Sequence, residues 1–246
     1  MKQANKIKLL LFLLLACLSV SSAAKDFVVI IDAGHGGFQG GAIYNKVKEK
    51  TVNLEVSKLV RDKLKNEHKD VKVIMTREKD IFIELKDRAA LSNRIKPDLF
   101  ISIHCNAIAG KAKQKKIYGA YAVVMNASQM QNLDKYTDKQ RLQRLESFEL
   151  SLKAGNYILD ELEAIAGRKR GGFHQSLRDL ALLREVWAPS VIVELDYLSY
   201  PEANKFLASK DGKEKCAKAV CEGIIKYKEY LEKIYDDSDN DEEVNQ

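Results

Sequence analysis

Three apolar runs constrain this chain most: DFVVII (26–31), LFISIHCNA (99–107) and SVIVELDYLS (190–199). Runs this continuous, rich in Val and Ile, suit strands buried on both faces rather than half-exposed ones. Between them the spacing turns helical. TVNLEVSKLVRDKLKN (51–66) sets Val52, Leu54, Val56, Leu59, Val60 and Leu64 near one face. IFIELKDRAALSNRI (81–95) repeats that spacing through Ile81, Leu85, Ala89 and Ile95 until Pro97 and Asp98 break it. VKVIM (71–75) and YGAYAVVM (118–125) read as further strands, and DLALL (179–183) as a short one. A helix is expected over 147–167, stopped by Gly167. Another starts at Pro201 and a last one covers 213–235. RKRGGFHQSLRD (168–179) reads as a basic loop. Alternating strands and helices predict a single α/β domain: a mostly parallel twisted sheet of about six strands with helices on both faces.

Sites in such sheets lie beyond the carboxyl ends of the strands. Three chemically capable side chains end apolar runs here. His35 follows the first in DAGHGG, His104 ends the second in SIHCNA, and Glu194 interrupts the third in VIVELDY. Glu49 opens the helix after the first run. Read singly, each has a plain alternative. His35 suits a turn, His104 a satisfied core histidine, Glu194 a buried ion pair and Glu49 a helix-capping carboxylate. Read together, they offer two imidazoles and a carboxylate, the usual ligands of a catalytic zinc, plus a second carboxylate able to take a proton from water.

Residues 1–24 read as a secretory signal. Lys2, Lys6 and Lys8 precede the apolar stretch Leu9–Val20, and the small residues of SSAA (21–24) follow. LLAC (14–17) offers a lipoprotein alternative with Cys17 as the lipidated residue. Either way export to the periplasm or cell envelope is expected. Removing the three leader lysines takes the formal net charge from +6 to +3. The tail 236–246 holds six acids and is expected to be disordered, which leaves about +9 on the body 25–235. That excess suits a solvated lysine-rich surface facing anionic wall polymers, and no nucleic-acid partner is expected. Cys105, Cys216 and Cys221 give no disulfide framework.

The chain resembles the zinc-dependent N-acetylmuramoyl-L-alanine amidases of the amidase-3 family. The resemblance runs over about 26–230 through IIDAGHGG, GGAIYNKVKEKTVNLEVSKLV, VKVIMTREKDIFIELKDRAALSNRIKPDLFISIHCNA and VIVELDYLSYPEANKFL, in the family's order. It implies a phosphorylase/hydrolase-like fold with one zinc ion held by His35, Glu49 and His104, and Glu194 as the catalytic carboxylate. The reaction implied is cleavage of the amide between N-acetylmuramic acid and L-alanine in peptidoglycan. A decayed wall-binding protein or amidase regulator, and a zinc carboxypeptidase or deacetylase, stand as alternatives. Asn106, Arg170, Arg184 and Asp196 are candidate substrate-contacting or supporting residues. Arg77 and Arg88 are expected to hold loops or carboxylates, Asp32 to orient a histidine or cap a turn, and His174 to be exposed. The family pattern has Gly-Phe after the catalytic Glu and Asn after Leu-Ser. Here Asp196, Tyr197 and Tyr200 stand instead. On a regular strand Asp196 shares the face of Glu194 and acts on its proton affinity or on a substrate amine. The polar segment 126–150 reads as a loop with part of a helix. In some relatives a helix inserted there covers the zinc until an activator protein displaces it.

Overall fold

The computed structural model describes residues 26–114, 116–125, 136–174 and 180–244. The expected leader, with Cys17, lies outside them. In chain order the strands are β1 (Phe27–Ala33), β2 (Ile43–Tyr44), β3 (Val47–Lys48), β4 (Val71–Met75), β5 (Leu99–Asn106), β6 (Ala120–Val123), β7 (Arg170–His174) and β8 (Ser190–Tyr197). The helices are α1 (Glu49–Glu67), α2 (Leu85–Ile95), α3 (Lys111–Gln114), α4 (Asp138–Ala164), α5 (Leu180–Glu185), α6 (Pro201–Ala208) and α7 (Lys210–Val244). The main sheet has six strands in the order β4-β1-β5-β8-β6-β7, and β2 and β3 form a small hairpin beside it. Strands β4, β1, β5 and β8 run parallel. Strand β6 runs antiparallel to β8, and β7 follows β6.

Alternate residues of the central strands serve two different layers. Val29, Ile31, Ile101, Ile103, Val191 and Val193 pack against α1, α4 and α7, through Val56, Val60, Ile158, Leu162, Val220 and Ile224 among others. Each such side chain, once buried, contributes about 1.5–3 kcal/mol. Ile30 and Phe100 point to the other face, where they meet Ala89 of α2 and Leu182 of α5. Among the described residues that layer is built by the short helices α2 and α5, whose Leu85, Arg88 and Leu182 border His35 and His104 at the carboxyl ends of β1 and β5.

Local chemistry explains the element ends. Thr137 and Gln140 close a reciprocal capping box at the start of α4, and Pro201 occupies the first turn of α6. Lys96 takes the left-handed conformation after α2, and Pro97 prevents its continuation.

Several boundaries differ from expectation. The run 179–183, expected as a strand, lies mostly in α5: Leu182 and Leu183 pack against the sheet from a helix, and a short apolar run does not distinguish the two. The expected loop 168–179 contains β7, whose paired glycines hid a strand. A Cβ on Gly171 would approach the Ala120 carbonyl oxygen to 2.8 Å, so glycine permits the close pairing with β6. Of 126–150, residues from Asp138 onward are α4, and 126–135 lie outside the described residues. The backbone of α7 continues to Val244, into the acidic segment expected to be irregular. Among the described residues no helix is long and apolar enough to cross a membrane.

Candidate metal and catalytic site

His35 occupies the tight turn just past β1, with φ 60 in the left-handed region. A residue with a Cβ pays for that conformation, so something must hold it. Two buried arginines do. Arg77 donates to the Ala33 carbonyl at 2.8 Å and the Gly34 carbonyl at 2.9 Å. Arg88 donates to the Ala33 carbonyl at 3.0 Å and the His35 carbonyl at 2.8 Å. Three successive carbonyls are thus fixed by guanidinium groups, the loop-holding role expected of Arg77 and Arg88. Asp32 serves the same scaffold. Its carboxylate pairs with Arg88 at 2.5 Å and accepts from the Thr76 and Ser102 hydroxyls, both at 2.6 Å. Expected to orient a histidine or cap a turn, Asp32 reaches the His35 turn through Arg88.

Glu49 is the first residue of α1 and is buried. Its Oε1 lies 3.0 Å from His35 Nε2 and 3.0 Å from His104 Nδ1, and it accepts the Cys105 N–H at 3.2 Å. Its Oε2 accepts the Ala42 N–H at 2.7 Å. The two imidazoles meet edge to face with centroids 4.9 Å apart. One ligand atom from each of His35, Glu49 and His104 falls within 4.8 Å of the others.

Electrostatics follow from this packing. Burial alone would raise the Glu49 carboxyl, yet the hydrogen bonds and charges of His104 and His35 hold it well below the usual carboxylate range. Burial alone would lower His104, yet Glu49 and the charge of Glu194 push it up to about 9. In the metal-free protein, a proton on His104 supplies positive charge that this carboxylate draws in.

Glycine makes the convergence possible at two points. A Cβ on Gly34 would lie 2.3 Å from His104 Nε2. A Cβ on Gly41, which has φ +66, would lie 2.4 Å from Glu49 Oε2 and 2.7 Å from the His35 ring. The donor set is one that zinc accepts: two imidazoles, one carboxylate, and an open side for water or substrate. A cleft of about 180 Å³ borders His35 and His104, lined also by Asp32, Gln39, Leu85, Arg88, Leu182 and Ile192.

Glu194 is buried on β8, opposite His104 in the parallel register with β5. One residue later that register slips: Asn106 pairs with Tyr197, so β8 carries an extra residue. This bulge overturns the expected placement of Asp196. Leu195 joins the layer beneath α1, α4 and α7, and Tyr197 joins Tyr121 and Ile192 on the Glu194 side. Asp196 turns away from Glu194, accepting the Gly119 and Tyr197 N–H groups at 2.7 Å and pairing with Arg168 at 3.1 Å. Burial raises its carboxyl while those partners pull it back.

The remaining candidates stand apart from the converging groups. Asn106 Oδ1 accepts the Ala107 N–H at 2.6 Å and so caps the end of β5. Arg170 pairs with Asp160 at 2.7 Å. Arg184 is exposed on α5. The His174 side chain lies outside the described ones. Sequence reasoning missed Gln39, Gly41 and Leu182. Only Gly41, in the glycine-dense GGFQGGA, carried a local signal.

The comparisons with known proteins bear on what this arrangement is. Residues 29–226 match the amidase-3 family model, described as N-acetylmuramoyl-L-alanine amidase. The chain belongs to that family. N-acetylmuramoyl-L-alanine amidase AmiA of Escherichia coli is 32% identical over 222 residues, spanning 81% of this chain and 75% of the relative. The germination-specific N-acetylmuramoyl-L-alanine amidase of Bacillus subtilis is 30% identical over 220 residues, spanning 81% of this chain and 79% of the relative. Among solved structures, N-acetylmuramoyl-L-alanine amidase AmiC2 of Nostoc punctiforme aligns with TM-score 0.65 at 28% identity, covering 83% of this chain and 98% of that one. The CwlD amidase of Clostridioides difficile, solved in complex with the GerS lipoprotein, aligns with TM-score 0.65 at 26% identity, covering 82% and 98%. The enzyme class read from the sequence is therefore that of an N-acetylmuramoyl-L-alanine amidase.

Proposed function

We propose that this amidase is a zinc-dependent, exported hydrolase of peptidoglycan, cutting the amide between the lactyl group of N-acetylmuramic acid and L-alanine. The observation that carries the reading is the meeting of His35, Glu49 and His104 at the strand ends, with Glu194 opposite His104. His35, Glu49 and His104 would hold one zinc ion. Bound there, zinc is a Lewis acid that polarises a carbonyl and acidifies water.

The chain's own residues do the rest. Glu194 takes the proton that water loses as it attacks the carbonyl, then gives it to the departing amine of L-alanine. Asp32, Arg77 and Arg88 keep the His35 turn rigid, so the imidazole need not be ordered at each turnover. Leu182 and Ile192 give the cleft an apolar wall that limits competing water. The cellular role proposed is wall remodelling or separation of daughter cells.

An activator protein belongs to this reading, supported by the solved complex of the CwlD amidase with the GerS lipoprotein. Within the segment 126–150 on which such a partner would act, Arg144 and Ser147 are anchored to backbone carbonyls: Arg144 donates to that of Val186 at 2.6 Å and Ser147 to that of Trp187 at 2.8 Å. Those contacts lie before β8 begins, at the end of the sheet away from His104 and Glu194.

Zinc content tests the proposal. One zinc per chain is expected in the wild-type protein. His35→Ala or His104→Ala should lose zinc together with lysis of purified walls. Unchanged zinc in both variants would refute the ligand set, and wall binding without lysis by the wild type would favour the decayed-protein alternative.

A further inference from the structure

Phe38 is 81% exposed, although it stands three residues past His35. An exposed aromatic on a floppy loop would mean little, and this loop is pinned. Gly36 and Gln39 exchange backbone hydrogen bonds at 3.0 and 3.1 Å. The Gly37 N–H donates to Asp80 Oδ1 at 2.8 Å, and Lys50 Nζ donates to the Gly37 carbonyl at 2.7 Å. Lys50 also pairs with Asp80 at 2.6 Å, so the charges beneath the loop neutralise each other. Gly37 has φ +57, and a Cβ there would approach the Phe82 nitrogen to 2.7 Å, so glycine lets the loop seat against that strand of chain. The Phe38 ring leans on Phe82 with centroids 4.3 Å apart and planes 42° apart. Ile81 and Leu85 beside them are each 50% exposed.

This apolar ledge is continuous with the catalytic cleft. Gln39 and Leu85 line the cleft over His35 and His104, and they also line a shallow depression shared with Phe82 and Ile83. Ordering cost has already been met in the free protein, which is what preorganised recognition requires.

We propose that the Phe38–Phe82 ledge is a glycan subsite, stacking the C–H face of a sugar ring in the strand that carries the scissile amide. The inference rests on the amidase reading above. An aromatic face carries partial negative charge and attracts the weakly positive C–H face of a pyranose. The Gln39 side-chain amide supplies both a donor and an acceptor for hydroxyl and acetamido groups. The stem peptide is the competing occupant. Its carboxylates call for unpaired cations, whereas the charged groups here come in pairs: Lys50 with Asp80 at the base, and Lys86 with Glu84 at 3.2 Å beside the depression.

The test measures binding by the full zinc-loaded chain to two probes: peptide-free glycan strands of alternating N-acetylglucosamine and N-acetylmuramic acid, and free stem peptide. Phe38→Ala should weaken glycan affinity about tenfold, the loss of one aromatic contact. Phe38→Trp should restore it, and affinity for stem peptide should not follow the same pattern. Glycan affinity unchanged in Phe38→Ala, or loss confined to stem peptide, would overturn the subsite. Failure of the amidase reading is separate: it would appear as absence of amide cleavage by the wild-type chain.

Discussion

His104 and Glu194 occupy paired positions in the parallel register of β5 and β8, one residue before the bulge that sends Asp196 to the opposite face. The bulge separates two neighbouring acids into different jobs. Glu194 stays paired with His104, and Asp196 holds Gly119 and Arg168. Replacing Glu194 by Gln keeps the shape and removes the proton acceptor. Hydrolysis of muropeptides should fall by roughly 10²–10⁴-fold, the span of general acid–base catalysis, with zinc retained. Metal analysis alongside a turnover assay measures both. Near-normal turnover in this variant would remove Glu194 from the mechanism.

Asp196→Asn should act on stability and leave catalysis to Glu194. Its ion pair with Arg168 is nearly buried, and breaking such a pair costs about 3–5 kcal/mol at the upper end. Thermal melts should show the loss, and the pH profile of kcat/KM should keep its shape. A shifted acidic limb with unchanged stability would mean that Asp196 does communicate with Glu194.

Gly34→Ala tests the cradle. The added methyl would meet the His104 ring at 2.3–2.6 Å, and both ring and backbone are packed. Overpacking of this kind costs about 1–3 kcal/mol. Zinc affinity should drop more steeply than melting temperature, because the clash falls on a ligand. Normal zinc binding by a stable Gly34→Ala protein would contradict the geometry.

Chelation should make stability depend on alkaline pH. His104 is raised from an ordinary value of 6.5 to about 9 in the metal-free fold. A raised group contributes stability that is full below its unfolded pKa and is lost as pH climbs through its folded one. Glu49 is lowered, so its share is present above 4.5 and is lost as pH falls towards its depressed folded value. The metal-free protein should therefore lose melting temperature between about pH 7 and 9.5, while zinc-loaded protein stays flatter across that window. Calorimetry with and without chelator decides it, and parallel curves would count against proton occupancy of the ligand cluster.

Much of this architecture could be read from residue order. The apolar runs through Ile31, Ile103 and Val193 announced buried parallel strands, because each is apolar on both faces. His35, His104 and Glu194 stood at their ends, where such sheets carry chemistry. Residues 171–173 failed as a strand because Gly171 and Gly172 carry no β signal, and pairing with β6 supplies what propensity lacks. Asp196 failed for a sharper reason. Period-two alternation assumes an unbroken ladder, and one inserted residue in β8 reverses the face of everything after it. The pairing of Arg88 with Asp32 spans 56 residues, so only the folded chain reveals it. Gln39 and Leu182 line the cleft through backbone placement that no motif encodes.

The most direct measurement is the mass of the products formed from a defined disaccharide-tetrapeptide by the zinc-loaded protein. The expected products are free disaccharide and an intact tetrapeptide beginning with L-alanine, with neither formed by the Glu194→Gln protein. A deacetylated sugar, a stem shortened from its carboxyl end, or uncut substrate would contradict it.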